Sequence, residues 1–185
     1  MTRTVKLDPS RAALLVVDVQ ERLAAAMPPG DLERLLKYTL ALIGAARELG
    51  IPVLATEQYP RGLGPTLPAL RAQLPAPPIE KMAFSCAADP GFAAALAATG
   101  RRQVVIAGME THVCVFQTAR DLAAQGYEVQ VCGDAVASRI EEHRRIGLDL
   151  CREAGAVVST AETAIFDLLH LAGTPQFKKV APLLK

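Results

Sequence analysis

At 185 residues the chain fits a single domain, 1–185, with one sizeable core. Lys and Arg total 20 against 19 Asp and Glu, so no strong field of either sign is available to gather nucleic acid or an anionic membrane surface. A hydrophobic share of 51% with 21% charged residues excludes a disordered chain.

The stretch from Met1 to Pro9 holds Arg3, Lys6 and Asp8 and no apolar leader, which predicts a cytoplasmic protein. The longest apolar run, around Ala12 to Val17, is stopped by Asp18, far short of the roughly 18 apolar residues a membrane helix needs. Within it, Leu14 to Val17 reads as a strand covered on both faces. Asp31 then reads as the N-cap of a helix in which Leu32, Leu35, Leu36, Leu40 and Ile43 recur at helical spacing until Gly50 ends it. Ile51 to Ala55 is the second strand. From Tyr59 to Pro78 the density of Pro and Gly predicts a long excursion with room for one short helix.

Ile79 to Met82 reads as a brief strand, Gly91 to Thr99 as a helix stopped by Gly100, and Gln103 to Ala107 as a β-branched strand. A helix from Thr111 to Gln125, closed by Gly126, leads to a strand from Tyr127 to Cys132. A helix from Glu141 to Ala154, a last strand from Ala156 to Ser159 and a final helix from Ala161 to Leu171 complete the chain. The alternation predicts a three-layer, doubly wound α/β fold, a Rossmann-like, six-stranded, mainly parallel sheet with helices on both faces.

Ligands of such sheets lie beyond the carboxyl ends of the strands, so polar residues that stop strands are the first candidates. Asp18 ends the first strand, Lys81 ends the brief third one, and Cys114 falls in the first turn of the helix after Gly108. Taken singly, each has an ordinary reading as a turn cap, a solvated charge or a small core residue; their joint placement is what points to chemistry. Cysteine attacks only as thiolate, and at a pKa of about 8.5 only ~3% is ionised at neutral pH. A helix N-terminus and the Lys81 ammonium both favour the anion, which predicts a resting thiolate at Cys114. Asp18 opposes that charge but can take the thiol proton and return it to a leaving group. With Thr111 as N-cap, Cys114 falls at the third helical position, among amides able to hold an oxyanion.

The remaining cysteines, Cys86, Cys132 and Cys151, read as structural. No C-x-x-C pair is present, and free thiols fit the cytoplasm better than disulfides.

Three segments carry a family resemblance: Val16-Val17-Asp18-Val19-Gln20, Glu80-Lys81-Met82-Ala83-Phe84-Ser85, and above all Ala107-Gly108-Met109-Glu110-Thr111-His112-Val113-Cys114-Val115. In order and spacing they resemble the isochorismatase-like cysteine hydrolases, over about residues 11 to 180. The resemblance implies Cys114 as nucleophile, Asp18 as general base and acid, and Lys81 as the group that lowers the thiol pKa and orients the site. It also implies a cis peptide at Met109–Glu110. The Glu57-Gln58-Tyr59-Pro60, Gly62-Leu63-Gly64-Pro65 and Gln176-Phe177-Lys178-Lys179 segments look like the isochorismatase domain-containing subgroup. Cys114 itself argues against a vinyl-ether isochorismatase.

Nicotinamidases of this family bind a metal through an Asp and two His after the second strand. The first histidine here is His112, so no metal triad can be built and no metal is expected. Gly62-Leu63-Gly64 lacks the third glycine of a dinucleotide loop, since position 67 is Leu, so no nicotinamide cofactor is expected either. His112, His143 and His170 are not read as catalytic. Gln20, Tyr59, Glu110 and Gln117 lie near strand ends or the Cys114 helix and are candidate pocket lining, with Glu110 and Thr111 on the oxyanion side.

The expected function is a metal-independent cysteine hydrolase of a small amide or related acyl compound, acting through a thioester. Its partners are a small-molecule substrate and further copies of itself, with no nucleic acid and no membrane. The competing reading is a catalytically idle α/β module that works by binding a partner protein.

Overall fold

The computed structural model describes residues 6–185; Met1–Val5, part of the stretch read above for a leader, lie outside the described residues. Six strands, β1 (Ala12–Val17), β2 (Val53–Gln58), β3 (Ile79–Lys81), β4 (Gln103–Met109), β5 (Glu128–Ala137) and β6 (Val157–Ser159), form one sheet in the order β3-β2-β1-β4-β5-β6. Every pairing between them is parallel, so the expected sheet is all rather than mainly parallel.

The helices are α1 (Glu21–Ala24), α2 (Pro29–Leu49), α3 (Pro60–Leu63), α4 (Pro68–Arg71), α5 (Pro90–Ala98), α6 (Phe116–Ala124), α7 (Glu141–Glu153), α8 (Ala161–Leu169) and α9 (Pro175–Val180). Alternation along β1 shows how they are layered. Leu14 and Val16 pack with Leu35, Leu42 and Ile43 of α2 and Ile165 and Leu168 of α8. Ala13, Leu15 and Val17 face the other way, with Phe92 and Leu96 of α5, Leu122 of α6 and Leu148 of α7. A strand with both faces covered can be apolar throughout, as β1 is.

Several boundaries differ from the sequence reading, each for a local reason. Helix α2 starts at Pro29 rather than after Asp31, because proline is tolerated at the first helical position, while Asp31 pairs with Arg34 one turn on. The excursion after β2 holds two single-turn helices rather than one. Strand β5 runs five residues past Cys132, where the sequence reading ended it, through Gly133 and Asp134. Its register with β4 shifts there, so that Ile106 pairs with Val131 but Gly108 with Val136. Helix α8 stops at Leu169, and α9 and a closing 3₁₀ turn, Ala181–Leu184, follow where the sequence suggested nothing. Among the described residues no helix is long and apolar enough to cross a membrane.

Candidate active site

Strand order reverses between β1 and β4, since the chain runs outward through β2 and β3 on one side and through β5 and β6 on the other. Such a switch point leaves a crevice at the carboxyl ends, and Asp18 and Cys114 follow the two strands that flank it. Strand β4 lies very close to β1 there. A Cβ on Gly108, whose φ is +123°, would stand 2.1 Å from the carbonyl oxygen of Val17, so only glycine fits.

Asp18 leaves β1 with φ +50°, a left-handed conformation that Asp tolerates better than most residues. Its Oδ1 accepts from Thr56 Oγ1 at 2.7 Å and its Oδ2 from Lys81 Nζ at 2.7 Å. Lys81, the last residue of β3, reaches past the end of β2 to make this contact. Its ammonium also donates to Gln58 Oε1 at 2.8 Å and to the carbonyls of Ala83 and Phe84 at 3.2 Å. Both charged side chains are fully buried. Burial by itself would lower the Lys81 pKa, but the adjacent Asp18 carboxylate is the leading opposing cause and the value is held above the usual one, so the ammonium persists.

Cys114 sits in a π-helical turn, Thr111–Val115, that precedes α6. The turn follows a cis peptide at Met109–Glu110, as the resemblance implied. The carbonyl of Glu110 accepts from Val113 N at 3.1 Å and Val115 N at 3.2 Å, the latter being the five-residue hydrogen bond that opens a π turn. The Cys114 thiol lies close enough to Asp18 and Lys81 for both charges to act on it. It keeps 6% exposure, whereas Cys86, Cys132 and Cys151 have none.

Two expectations are corrected here. First, burial pushes the Cys114 thiol well above its ordinary range and the adjacent Asp18 anion pushes it further, while Lys81 offsets only part of this. The direction of this shift, with burial its larger cause and Asp18 its second, favours a neutral resting thiol over the expected thiolate. Second, Thr111 is not the N-cap. Glu110 holds that position without a side-chain cap, and the Thr111 hydroxyl is buried with no hydrogen-bond partner among the described residues. The wider π turn displaces the α-helical numbering on which the Thr111 reading rested.

The lining candidates divide. Gln20 is fully buried, and its amide is engaged by backbone: Nε2 donates to the carbonyls of Gln58 at 3.0 Å and Gly64 at 2.7 Å, and Oε1 accepts from Gln58 N at 2.8 Å. It pins the loop after β2 rather than lining open space. Tyr59 is exposed at the end of β2, with a left-handed φ of +39°, and its N–H donates to the Lys81 carbonyl at 2.9 Å. The Gln117 carbonyl accepts from Ser85 Oγ at 3.4 Å. Glu110 is buried, and its Oε1 accepts from both N and Nε of Arg139, each at 3.0 Å. His112 Nδ1 lies 3.0 Å from Ser138 Oγ, and its ring centroid is 4.8 Å from that of His143.

Thr56, Gln58 and Cys86 belong to the cluster and escaped the sequence reading. Thr56 and Gln58 are two apart on β2 and so share a face, a polar i, i+2 pair at a strand end that could have marked them. Cys86 Sγ lies 3.6 Å from Thr56 Oγ1, and burial raises its thiol to about 11, with Asp18 adding to the effect. Glu57, on the opposite face, accepts from Thr66 N at 2.6 Å and Thr66 Oγ1 at 2.7 Å. Among the described residues no group of three His, Cys, Asp or Glu could hold a metal ion.

The model of the isochorismatase domain matches residues 12–163 of the chain. A secreted isochorismatase effector, Isc1, of Phytophthora sojae is 36% identical over 189 residues, covering 99% of this chain and 89% of the relative. The solved structure of a MAR1 ribonuclease from Caenorhabditis elegans superposes with a TM-score of 0.90 at 36% identity, over 97% of this chain and 92% of that one. The YcaC gene product of Escherichia coli, described as an octameric hydrolase of unknown specificity, superposes with a TM-score of 0.89 at 30% identity, over 99% of this chain and 91% of that one.

Proposed function

The chain belongs to the isochorismatase-like hydrolase family, and from that premise we propose that it is a metal-independent cysteine hydrolase of small amides or related acyl compounds. The observation that supports this most directly is the buried Asp18–Lys81 pair at the switch point, with the Cys114 thiol close enough to feel both charges.

Substrate would enter with its carbonyl carbon against the sulfur. Asp18 takes the thiol proton as sulfur attacks, so charge develops only when the carbonyl is in place to receive the electron pair. Lys81 keeps Asp18 oriented and balances its charge while the carboxylate is ionised. The Val113 and Val115 amides are engaged by the Glu110 carbonyl, so the oxyanion is assigned to the other amides at the start of this turn. On collapse, the C–N bond breaks, Asp18 returns the proton to the leaving amine, and a thioester remains on Cys114. Water then adds to the thioester with Asp18 accepting a proton, the C–S bond breaks, and the free acid and the thiol are restored. The substrate class is a small molecule because the sulfur is recessed and the net charge of +1 offers no attraction to a polyanion.

A panel of small amides and activated esters, assayed with wild type and Cys114→Ala, tests this reading. A thioester adduct on Cys114 seen by mass spectrometry, absent in the variant, is the expected result. An intact Cys114→Ala protein that hydrolyses its substrate as fast as wild type would end the proposal in favour of an idle module. A single-stranded RNA oligomer belongs in the panel because of the name of the nematode relative, and is expected to survive incubation. We also propose a homo-oligomer, as in the octameric Escherichia coli relative, which analytical ultracentrifugation at micromolar concentration tests. The four free thiols fit a reducing cytoplasm, in contrast to the secreted Phytophthora relative.

A further inference from the structure

The loop after β5 grips the start of the Cys114 turn at two points. Arg139 donates from both its backbone N and its Nε to Glu110 Oε1, at 3.0 Å each, and Ser138 Oγ meets His112 Nδ1 at 3.0 Å. The Glu110 carboxylate is only 7% exposed, while the Arg139 side chain is 58% exposed. A buried carboxylate is thus answered by a cation supplied from solvent, on the residue whose carbonyl opens the π turn and whose peptide with Met109 is cis.

From this we propose that Arg139 is a positioning residue for the proposed acyl transfer, acting through Glu110 to hold the turn's amides on the developing oxyanion. The inference rests on the cysteine-hydrolase reading. Two effects follow from the geometry. The clasp fixes the orientation of Glu110 and with it the amides that follow, and it neutralises a carboxylate that would otherwise repel negative charge forming on the carbonyl oxygen. Neither effect is directed at the sulfur's own ionisation, for which burial and the charges of Asp18 and Lys81 are the leading causes.

That separation supplies the test. Acylation of Cys114 by p-nitrophenyl acetate passes through an oxyanion, whereas alkylation by iodoacetamide displaces iodide and forms none. In Arg139→Ala the acylation rate is expected to fall about ten-fold, less than the ~10²–10³ lost with an oxyanion donor itself. Alkylation of Cys114 should stay within two-fold of wild type, and Arg139→Lys should recover part of the acylation rate through its charge. Equal loss of both rates would show a general disturbance of the site and overturn the proposal, as would no loss of either. Wild type that is alkylated at Cys114 but never acylated there would instead overturn the hydrolase reading on which the inference stands.

Discussion

Lys81 Nζ lies 2.7 Å from Asp18 Oδ2, and neither side chain has any exposed surface. A buried pair of this kind is held by what surrounds it as much as by mutual attraction, here by Thr56 on the carboxylate and by Gln58 and two carbonyls on the ammonium. Removing one partner leaves an uncompensated buried charge. Lys81→Met and Asp18→Asn are each expected to lose about 3–5 kcal/mol of folding stability in urea titrations. The double variant should regain most of it, and all three should fail to form the acyl-enzyme. A double variant no more stable than either single one would refute the coupling.

The neutral Cys114 thiol makes a prediction about pH. Burial and Asp18 raise its pKa, so the iodoacetamide rate at Cys114 should climb steadily from pH 7 to pH 9.5 with no plateau near the ordinary thiol range. Asp18→Asn removes the largest raising cause after burial, so the midpoint of its rate profile should move down. Cys114 should still react before Cys86, Cys132 and Cys151, because it alone keeps exposed surface. A wild-type plateau near pH 8, read by peptide mass spectrometry, would contradict the burial argument.

Alkaline pH should also weaken the fold. Burial raises Cys86 to about 11 and Cys151 to about 12, and raises Cys132 further still. Each thiol therefore stays protonated in the folded state after its unfolded counterpart has ionised. Stability from this source is complete below the unfolded thiol pKa and is lost as pH rises from there through the folded values. The melting temperature should fall between pH 8.5 and pH 11, and Cys151→Ala should reduce the slope of that fall, whatever it does to the value at pH 7.

Gly108→Ala is expected to cost about 4 kcal/mol or more, since the added Cβ would meet backbone atoms of Val17 from 2.1 to 2.8 Å and φ is +123°. Val17 precedes Asp18, so any protein that still folds should also acylate Cys114 more slowly. By comparison, Gly126→Ala, whose Cβ would meet nothing within 4 Å, should lose only the small penalty of its positive φ. Thermal melts of the two variants side by side decide the matter.

Much of this molecule was legible before any coordinates. The apolar strands, the helix-closing Gly50 and Gly126 and the strand-end positions of Asp18 and Lys81 all follow from local pattern, because covered strands and helix ends are written in consecutive residues. The third motif identified the family, which carried Cys114 and the cis peptide with it. What escaped was non-local. Strand β5 continues through Gly133 and Asp134 because its pairing with β4 resumes, after a register shift, at Val136 and Ala137, and turn-forming residues cannot announce that. Gln20 became a backbone pin for the same reason, since its three partners lie on residues 58 and 64.

The one-dimensional chain thus determined the layered architecture, the family and which three side chains meet, because periodicity, strand-end chemistry and a nine-residue motif are local properties. The ionisation of the sulfur was decided by tertiary structure alone. A helix start and a lysine both argue for a thiolate, but the charge of Lys81 is already answered by Asp18 inside a dry shell, and that balance exists only once three strand ends have been brought together.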